Sequence, residues 1–303
     1  DTGYTVVRDV LRAADAIGGK KRFEVTTVGM RRSVRSGLGL QLPVEPIAKR
    51  KPDWVIVPAL GATTPQTLVP ALARPDVCDA KHQLVAWHAA GVKIAASCIS
   101  TFVIAESGLL DHREATTTWS LAPLFRQRYP EVRLDETRML VATDIGATAG
   151  AALGHLDLAL WLVRSVSPEL AETVSRYLLA DLRSSQAPYI IPNHLAQADP
   201  LILRFERWSR EHLKAGFSLD AAAKDLATST RTLQRRCTEV LGKSPLEYFQ
   251  DLRVEHARSL IQSSNTGIET IAAEVGYADG ATLRALLRQR LGRGVRELRA
   301  DLR

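Results

Sequence analysis

The chain has 303 residues, of which 46% are hydrophobic and 24% are charged, and its net charge is +7. This balance is typical of a soluble protein of about two domains. It excludes a helical membrane protein, because no apolar run reaches the roughly 18 residues that a membrane span needs. The three cysteines form no closely spaced pair, which predicts a reduced, cytoplasmic protein. Because the chain begins at Asp1 and not at methionine, we expect its natural N-terminus to lie upstream.

The N-terminal part alternates short β-branched runs with helical spacing. Buried strands are predicted at 23–28, 54–58, 92–97 and 139–143, and helices at 8–17, 78–90, 149–163 and 169–183. This alternation predicts an α/β sandwich with a mainly parallel sheet. We expect three regions: the α/β domain at 1–183, a polar linker at 184–198, and an all-helical domain at 199–303. The linker is indicated by the stretch 184–200, which is polar and holds three prolines.

The helical domain contains an internal repeat. Residues 232–248 align with 282–298 at an offset of 50, and residues 219–227 align with 268–276 at an offset of 49. Each copy is predicted as helix, turn, helix, with Ser229 and Asp279 placed to cap the second helices. Two tandem copies of this pattern predict a pair of helix-turn-helix units. A helical protein-interaction module is the alternative.

The second helix of each copy has an apolar stripe and a polar, basic face opposite to it. In the first copy the polar face includes Arg231, Gln234 and Arg235, and such side chains hydrogen-bond guanine and adenine edges in the major groove. The matching face of the second copy is basic but has fewer side chains that read bases. The predicted DNA-binding residues are Ser229, Thr230, Arg231, Gln234, Arg235, Thr238, Lys243, Gly280, Ala281, Arg284 and Arg288.

Three segments of this domain have a distinctive sequence: LATSTRTLQRR (226–236), GKSPLEYFQDLRVEHARSLI (242–261) and IAAEVGYADGATL (271–283). They resemble segments of the AraC-type DNA-binding domain, and the resemblance covers about 199–303. It implies two helix-turn-helix units joined by a long helix, with promoter or operator DNA as the partner. The family's common arginine in the second recognition helix is Ala285 here, and its closing serine–proline is Gly294–Val295. The second unit is therefore expected to contact phosphates more than bases.

In the α/β domain a buried strand runs into Cys98, followed by a helical segment. A nucleophile at a tight strand-to-helix turn is a recurrent hydrolase device. The segment CISTFVIAESGLLDHREATTTW (98–119) resembles the ThiJ/PfpI, amidotransferase-like fold, and more closely its subgroup fused to an AraC-type domain, the GlxA-type regulators. The alternative function is therefore a cysteine-dependent hydrolase or glyoxalase-like enzyme. However, a cysteine nucleophile needs a base, and where relatives have histidine this chain has Ile99 and Thr118. We predict no catalytic residue and no enzyme.

A ligand site is expected at the carboxyl ends of the strands, where open α/β sheets bind ligands. The backbone amides of the turn are expected to favour an anionic group. The resemblance implies a small amino-acid, amine or quaternary-ammonium effector and a homodimer, and leaves RNA polymerase as a further partner. We predict no cofactor, no metal, because the histidines form no ligand-spaced set, and no membrane partner. The predicted ligand-binding residues are Gly61, Ala62, Ser97, Cys98, Ile99, Thr118 and Trp119.

Overall fold

The computed structural model describes residues 1–47, 51–181 and 183–300, which divide into two units. The α/β unit comprises Asp1–Leu121 and Arg128–Gln186, apart from the gaps in that description. The helical unit comprises Ala122–Gln127 and the described part of Ala187–Arg303. Among the described helices, none combines the length and apolar character needed to cross a membrane.

Up to residue 186 the chain alternates helices and strands, as predicted. In order these are α1 (Thr2–Ile17), β1 (Val34–Arg35), β2 (Gln41–Leu42), β3 (Trp54–Val57), α2 (Pro65–Leu72), α3 (Pro75–Ala89), β4 (Lys93–Ser97), α4 (Ser100–Glu106), β5 (Glu114–Ala115), α5 (Ala122–Arg128), β6 (Arg133–Leu134), β7 (Leu140–Thr143), β8 (Gly146–Ala149), α6 (Gly154–Val166) and α7 (Pro168–Tyr177).

The main sheet has four strands in the order β3–β4–β8–β7. Strand β4 runs parallel to both β3 and β8, whereas β7 runs antiparallel to β8. Strands β1 and β2 form a small antiparallel ladder, and β5 and β6 form a small parallel one. The predicted α/β fold with a mainly parallel sheet is confirmed. Because β3 and β4 are parallel, the segments that follow them leave the sheet at the same edge.

Small residues in the two central strands allow a helix to lie close to the sheet. Ala95 of β4 and Ala147 and Ala149 of β8 pack with Leu158 of α6. Helices α1 and α7 pack on α6 through a second apolar cluster that includes Val10. Since side chains alternate along a strand, the other face of β4 is left for α3 and α4, which contact it. Helix α4, which follows the elbow at Cys98, is thereby held against the sheet.

The strand predicted at 23–28 is wrong. Within this stretch only Val28 makes a bridge, an isolated one with Glu45, and Val25 is exposed. The carboxylate of Asp15 accepts the backbone N–H groups of Arg22 and Phe23, which holds the start of the segment beside the end of α1. A β-branched run favours a strand only where a partner strand is within reach.

Strand β8 was not predicted, and only its last residue, Ala149, lies within the helix predicted at 149–163. That helix begins at Gly154, because Ala149 is part of the strand residues GATA, which pair with both β4 and β7. Their small side chains have no strand-like pattern, yet all four are buried. The helix predicted at 169–183 ends at Tyr177, and Leu182 lies outside the described residues.

The helical unit beyond residue 186 is helical throughout, apart from its turns. It contains α8 (Pro192–Ala196), α9 (Pro200–Glu211), α10 (Leu219–Asp225), α11 (Thr230–Leu241), α12 (Pro245–Ser263), α13 (Ile268–Glu274), α14 (Gly280–Leu291) and α15 (Val295–Ala300). The predicted pair of helix-turn-helix units is present as α10–α11 and α13–α14. Helix α12 joins them.

The segment predicted to be a linker, 184–198, holds structure of its own. Its start pairs within the α/β unit, where the backbone carbonyl of Ser184 accepts the N–H of Met139 at 3.2 Å. Its later part forms α8, in which Leu195 and Ala196 are buried within the helical unit. Tyr248 of α12 donates its hydroxyl to the Pro192 carbonyl at 3.1 Å. The prolines indicated a break in the alternation of strands and helices, but they did not indicate that Leu195 and Ala196 between them are buried.

Helix α12 contributes to the cores around both helix-turn-helix units. Its first half buries Tyr248 and Phe249, and its second half places Val254 in the cluster built by α13 and α14. Between these halves lies Arg253, whose guanidinium donates to the Leu213 carbonyl at 2.7 and 3.0 Å. The same guanidinium lies over the ring of Phe249 and over the ring of Tyr277 in the second unit.

The two turns show the repeat in the backbone. Ala227 and Gly276 occupy equivalent places, and both have left-handed φ angles, 51° and 82°. This conformation costs about 1–2 kcal/mol for a residue with a Cβ and little for glycine. The first turn therefore holds a strained alanine, which is exposed. At Gly276 a Cβ would lie 2.3 Å from the carbonyl oxygen of Leu213 and 2.4 Å from the guanidinium of Arg253.

We predict opposite effects of exchanging these two residue types. Ala227→Gly should raise the free energy of unfolding of the helical unit by about 0.5–1 kcal/mol, because relief of strain exceeds the entropy cost of glycine. Gly276→Ala should lower it by at least about 2 kcal/mol, because strain and overlap with a backbone oxygen add together. Urea titrations of the full chain, followed by helical circular dichroism, measure both. A change in the free energy of unfolding with the same sign in both variants would contradict this prediction.

Candidate functional site

Helix α11 divides into a buried and an exposed face, as predicted. Its buried stripe, Leu233, Cys237, Val240 and Leu241, packs into the helical unit. The side chains of Arg231, Gln234, Arg235 and Thr238 are exposed on the opposite face. Neither Arg231 nor Gln234 uses its side chain in a hydrogen bond with another described residue. The first unit therefore presents free donors and acceptors in the spacing that a major-groove helix requires.

Helix α14 repeats this division with a different outer surface. Leu283 and Leu287 are buried, whereas Ala281, Arg284 and Arg288 are exposed. Arg284 approaches Glu269 of α13 at 3.5 Å. An alanine side chain offers no polar atom, so the polar groups of this face are mainly those of its arginines.

Of the other predicted DNA-binding residues, Ser229 and Thr230 begin α11. The Ser229 hydroxyl accepts the backbone N–H of Thr232 at 3.0 Å, which is the cap that the sequence predicts. Thr230 is half-buried. In the second unit Asp279 caps α14 in the same way, at 2.7 Å from the N–H of Thr282. The repeat thus sets the start of each second helix by an equivalent bond.

Two predicted DNA contacts are engaged inside the protein. The Lys243 ammonium lies 2.7 Å from the Asp251 carboxylate, which also pairs with Arg290 at 2.8 Å. Gly280 is buried, and its N–H donates to the Glu269 carboxylate at 2.7 Å. The single N–H of Gly280 could reach a phosphate only by leaving Glu269, whereas the charge of Lys243 is already partly offset by Asp251. Sequence spacing places both near the second helices but does not show the carboxylates that face them.

Glu239 belongs to the exposed surface of α11, and the sequence analysis missed it. Its carboxylate accepts a hydrogen bond from Arg235 at 2.7 Å and one from Arg236 at 2.8 Å. These two guanidinium groups hold the pKa of the Glu239 carboxyl below its ordinary value, the Arg235 bond being the larger cause. The i, i+4 spacing of Arg235 and Glu239 on a predicted helix was the available signal.

The second candidate site is the elbow, which we define as Ser97–Ser100 between β4 and α4. Cys98 has a left-handed φ of 61°, which a non-glycine residue adopts at a cost and which is often found at functional turns. Its backbone N–H donates to the Ala149 carbonyl at 2.9 Å, and its carbonyl accepts the Thr117 hydroxyl at 2.8 Å. The Cys98 amide is therefore used within the sheet and is not free for an anionic ligand, contrary to what the turn alone suggests.

The predicted ligand-binding residues are only partly brought together. Ser97 and Ile99 are buried beside Cys98, and the Thr118 hydroxyl bonds to the Cys98 thiol. Trp119 follows in a short 3-10 turn, Trp119–Leu121, and is half-buried. Gly61 and Ala62 follow β3, next to β4; Gly61 is exposed and Ala62 is buried.

Cys98 lacks the features of an activated nucleophile. Burial raises the pKa of the Cys98 thiol above its ordinary value, although the Ile99 N–H and the Thr118 hydroxyl lower it in part. Activated cysteines have pKa values below that of a free thiol, because a cation, a base or a helix N-terminus stabilises the thiolate. For His155, burial has the opposite effect and lowers the pKa, because it disfavours the charged imidazolium. The Nδ1 atom of His155 bonds to the Ala152 carbonyl at 2.9 Å. In the described part of the chain, no three His, Cys, Asp or Glu side chains are grouped to hold a metal ion.

The raised pKa gives a direct test of the enzyme alternative. In the Cys78→Ser variant, Cys98 should react with iodoacetamide at pH 7.5 at least about tenfold more slowly than free cysteine does, because it is held as the thiol. The rate should keep rising with pH beyond the point where free cysteine levels off. Mass spectrometry of the labelled peptide follows Cys98 alone, and burial raises the pKa of Cys237 to about 12. A rate that levels off below pH 7 would contradict this assignment and support a catalytic thiolate.

The helix-turn-helix geometry agrees with a comparison to known families. Residues 222–301 match the family model described as a helix-turn-helix domain. The helical unit is an AraC-type helix-turn-helix domain. This match includes all of α11–α15 and lies within the helical unit.

Similar proteins extend the comparison beyond the AraC-type domain. The chain is 28% identical over 200 residues to the HTH-type transcriptional regulator GlxA of Rhizobium meliloti (strain 1021), covering 63% of this chain and 60% of that protein. It is 27% identical over 245 residues to the HTH-type transcriptional regulator ArgR of Pseudomonas aeruginosa, covering 77% of this chain and 71% of that protein. The chain thus spans about 60% of the length of the first relative. Both relatives are named transcriptional regulators, and the predicted family is confirmed.

A solved structure of an AraC family transcriptional regulator from Pseudomonas putida is also similar. It has 22% sequence identity and a TM-score of 0.49, and the match covers 58% of this chain and 92% of that chain.

Proposed function

We propose that the chain is a one-component transcription regulator that binds promoter or operator DNA and responds to a small molecule. The observation that supports DNA binding most strongly is the doubled helix-turn-helix, in which α11 and α14 expose polar or basic faces at repeat-equivalent positions. The AraC-type match and the names of the relatives support the same conclusion. Residues 199–303 form the proposed DNA-binding domain and residues 1–183 the proposed sensing domain.

The two units have unequal roles in this proposal. The free side chains of Arg231 and Gln234, with Arg235, form base-edge contacts from α11. Helix α14, with Arg284 and Arg288 beside alanines, contacts phosphates and contributes affinity with little sequence information. The domain as a whole then derives most of its specificity from the first unit.

This division of roles predicts that arginines of α11 and α14 differ in their effect on DNA binding when they are replaced. Arg235→Ala should weaken binding to a duplex selected from a random library by about 1–3 kcal/mol and change affinity for unselected DNA much less, because a base pairing is lost. Arg288→Ala should weaken both by similar amounts and reduce the slope of log K against log salt by about 1. Fluorescence anisotropy at several salt concentrations measures both.

A matched control is Arg176→Ala, because Arg176 is also an exposed helical arginine, in the α/β unit, with an acidic partner four residues away. It should leave both affinities unchanged. If the full chain selects no sequence from the library, the proposal of a DNA-binding regulator fails. If Arg288→Ala alone removes sequence preference, the division of roles is reversed.

We further propose that the effector is a small amino-acid, amine or quaternary-ammonium metabolite that binds at the elbow. Trp119, which is half-buried and next to Thr118, is an aromatic residue, and aromatic side chains bind cationic head groups. The buried hydroxyl of Thr101, on the first turn of α4, has no hydrogen-bond partner among the described residues. A buried hydroxyl without a partner is costly, so a polar ligand group at the elbow would relieve it.

The resemblance to GlxA-type regulators supports this ligand class. It also supports a cytoplasmic homodimer formed by the α/β domain, with RNA polymerase as a partner at the promoter.

A chain of hydrogen bonds leads from the elbow to the last residue of the α/β unit. Thr117 bonds to the Cys98 carbonyl, and the buried amide of Gln186 donates to the Thr117 carbonyl at 3.0 Å and to the Thr116 hydroxyl at 3.1 Å. The same amide donates to the Arg138 carbonyl at 3.0 Å. The next residue along the chain begins the helical unit. We propose that effector binding shifts this network and so changes the segment that leads to the DNA-binding domain.

Replacing Gln186 should separate sensing from response. Gln186→Leu nearly keeps the side-chain volume but removes the amide nitrogen that contacts all three oxygens. The chain should therefore still bind effector, while the effect of the effector on DNA affinity falls by at least about half on the free-energy scale. The effector is first found as the metabolite that raises the melting temperature of the unmodified chain in a panel of amino acids, amines and betaines. DNA affinity is then measured with and without it. Gln197→Leu, at an exposed position, is the control. An undiminished response in Gln186→Leu would contradict the relay.

A further inference from the structure

Glu239 connects the base-reading surface of α11 to a fixed point of the helical unit. On one side its carboxylate accepts a bond from Arg235, and on the other side it accepts one from Arg236. Arg236 also pairs with Asp199 at the start of α9. Four charged groups of alternating sign therefore form one chain, with the exposed Arg235 at its outer end.

The inner end of this chain is held firmly. The Asp199 side chain is only 8% exposed. One of its carboxylate oxygens accepts the backbone N–H groups of Leu201 and Ile202, at 2.8 and 3.0 Å, and so caps α9. Because its other oxygen bonds to Arg236, the position of that guanidinium is set by the backbone of α9 and not only by α11.

The outer end combines exposure with restraint. The Arg235 side chain is 58% exposed, and through Nη1 it donates to Glu239. Its Nε and Nη2 make no hydrogen bond with another described residue, so these donors remain for a base edge. A free arginine side chain loses much rotamer freedom when it binds, whereas one already held in place loses less.

We propose that Glu239 is a positioning residue for DNA recognition, which holds the Arg235 guanidinium for a guanine edge while its own charge lowers affinity for DNA in general. This inference rests on the proposed function, because it requires that α11 enters the major groove. A carboxylate near phosphates repels them whatever the sequence. A restrained guanidinium favours only the base whose acceptors match its donors. The two effects have opposite consequences when the carboxylate is removed.

The test uses the full chain, a duplex selected by that chain from a random library, and an unselected duplex of the same length. Glu239→Gln should reduce the preference for guanine at one position of the selected site by roughly three- to tenfold, because Arg235 loses its restraint. It should at the same time raise affinity for the unselected duplex about twofold at low salt, because one negative charge is gone. The control, Glu172→Gln, removes a carboxylate from another i, i+4 pair with arginine, in α7 of the α/β unit, and should change neither quantity.

A double variant separates positioning from direct contact. In the Arg235→Ala background, Glu239→Gln should cause no further loss of base preference, because the residue acts through Arg235. If the loss persists in that background, Glu239 contacts a base itself and the positioning role is wrong. Unchanged base preference in Glu239→Gln would also overturn the inference, while the proposed function would stand. If the unmodified chain selects no DNA, both fail.

Discussion

The helical unit depends on the rigidity of α12. This helix of 19 residues is about 28 Å long, and it supplies buried side chains to the cores of both helix-turn-helix units. Arg253, near its middle, bonds to the carbonyl of Leu213, just beyond α9, and lies over the ring of Phe249 in α12 and over that of Tyr277 in the second unit. One continuous helix therefore fixes the distance and angle between α11 and α14, so that neither helix is positioned independently on DNA.

Within this frame the two units differ in what they expose, not in how they fold. Equivalent caps, equivalent left-handed turns and left-handed glycines at Gly242 and Gly292 set the limits of α11 and α14. The outer faces then diverge: α11 has free polar side chains and an arginine, Arg235, bonded to the Glu239 carboxylate, whereas α14 has arginines among alanines. A shared backbone with unequal surfaces is suited to one unit that reads sequence and one that adds affinity.

Periodicity and repeats predicted most of the fold, because long helices and buried β-branched strands leave clear patterns. The caps at Ser229 and Asp279 and the exposed face of α11 were predicted for this reason. Strand β8 was missed because its residues are small and its position depends on neighbours distant in sequence. The ion pair of Lys243 and the bonds that fix Glu239 also depend on tertiary packing, as do the hydrogen bonds of Gln186. Local sequence shows which side chains are polar, but not which of them are already engaged.

The central claim is that α11 reads bases in the major groove while α14 mainly contacts phosphates. Methylation interference on the selected duplex tests it most directly, because methylated guanine N7 blocks contacts in the major groove only. We expect strong interference at guanines in one half of the site and weak interference in the other, with phosphate ethylation interfering in both. Equal guanine interference in the two halves, or none in either, would contradict it.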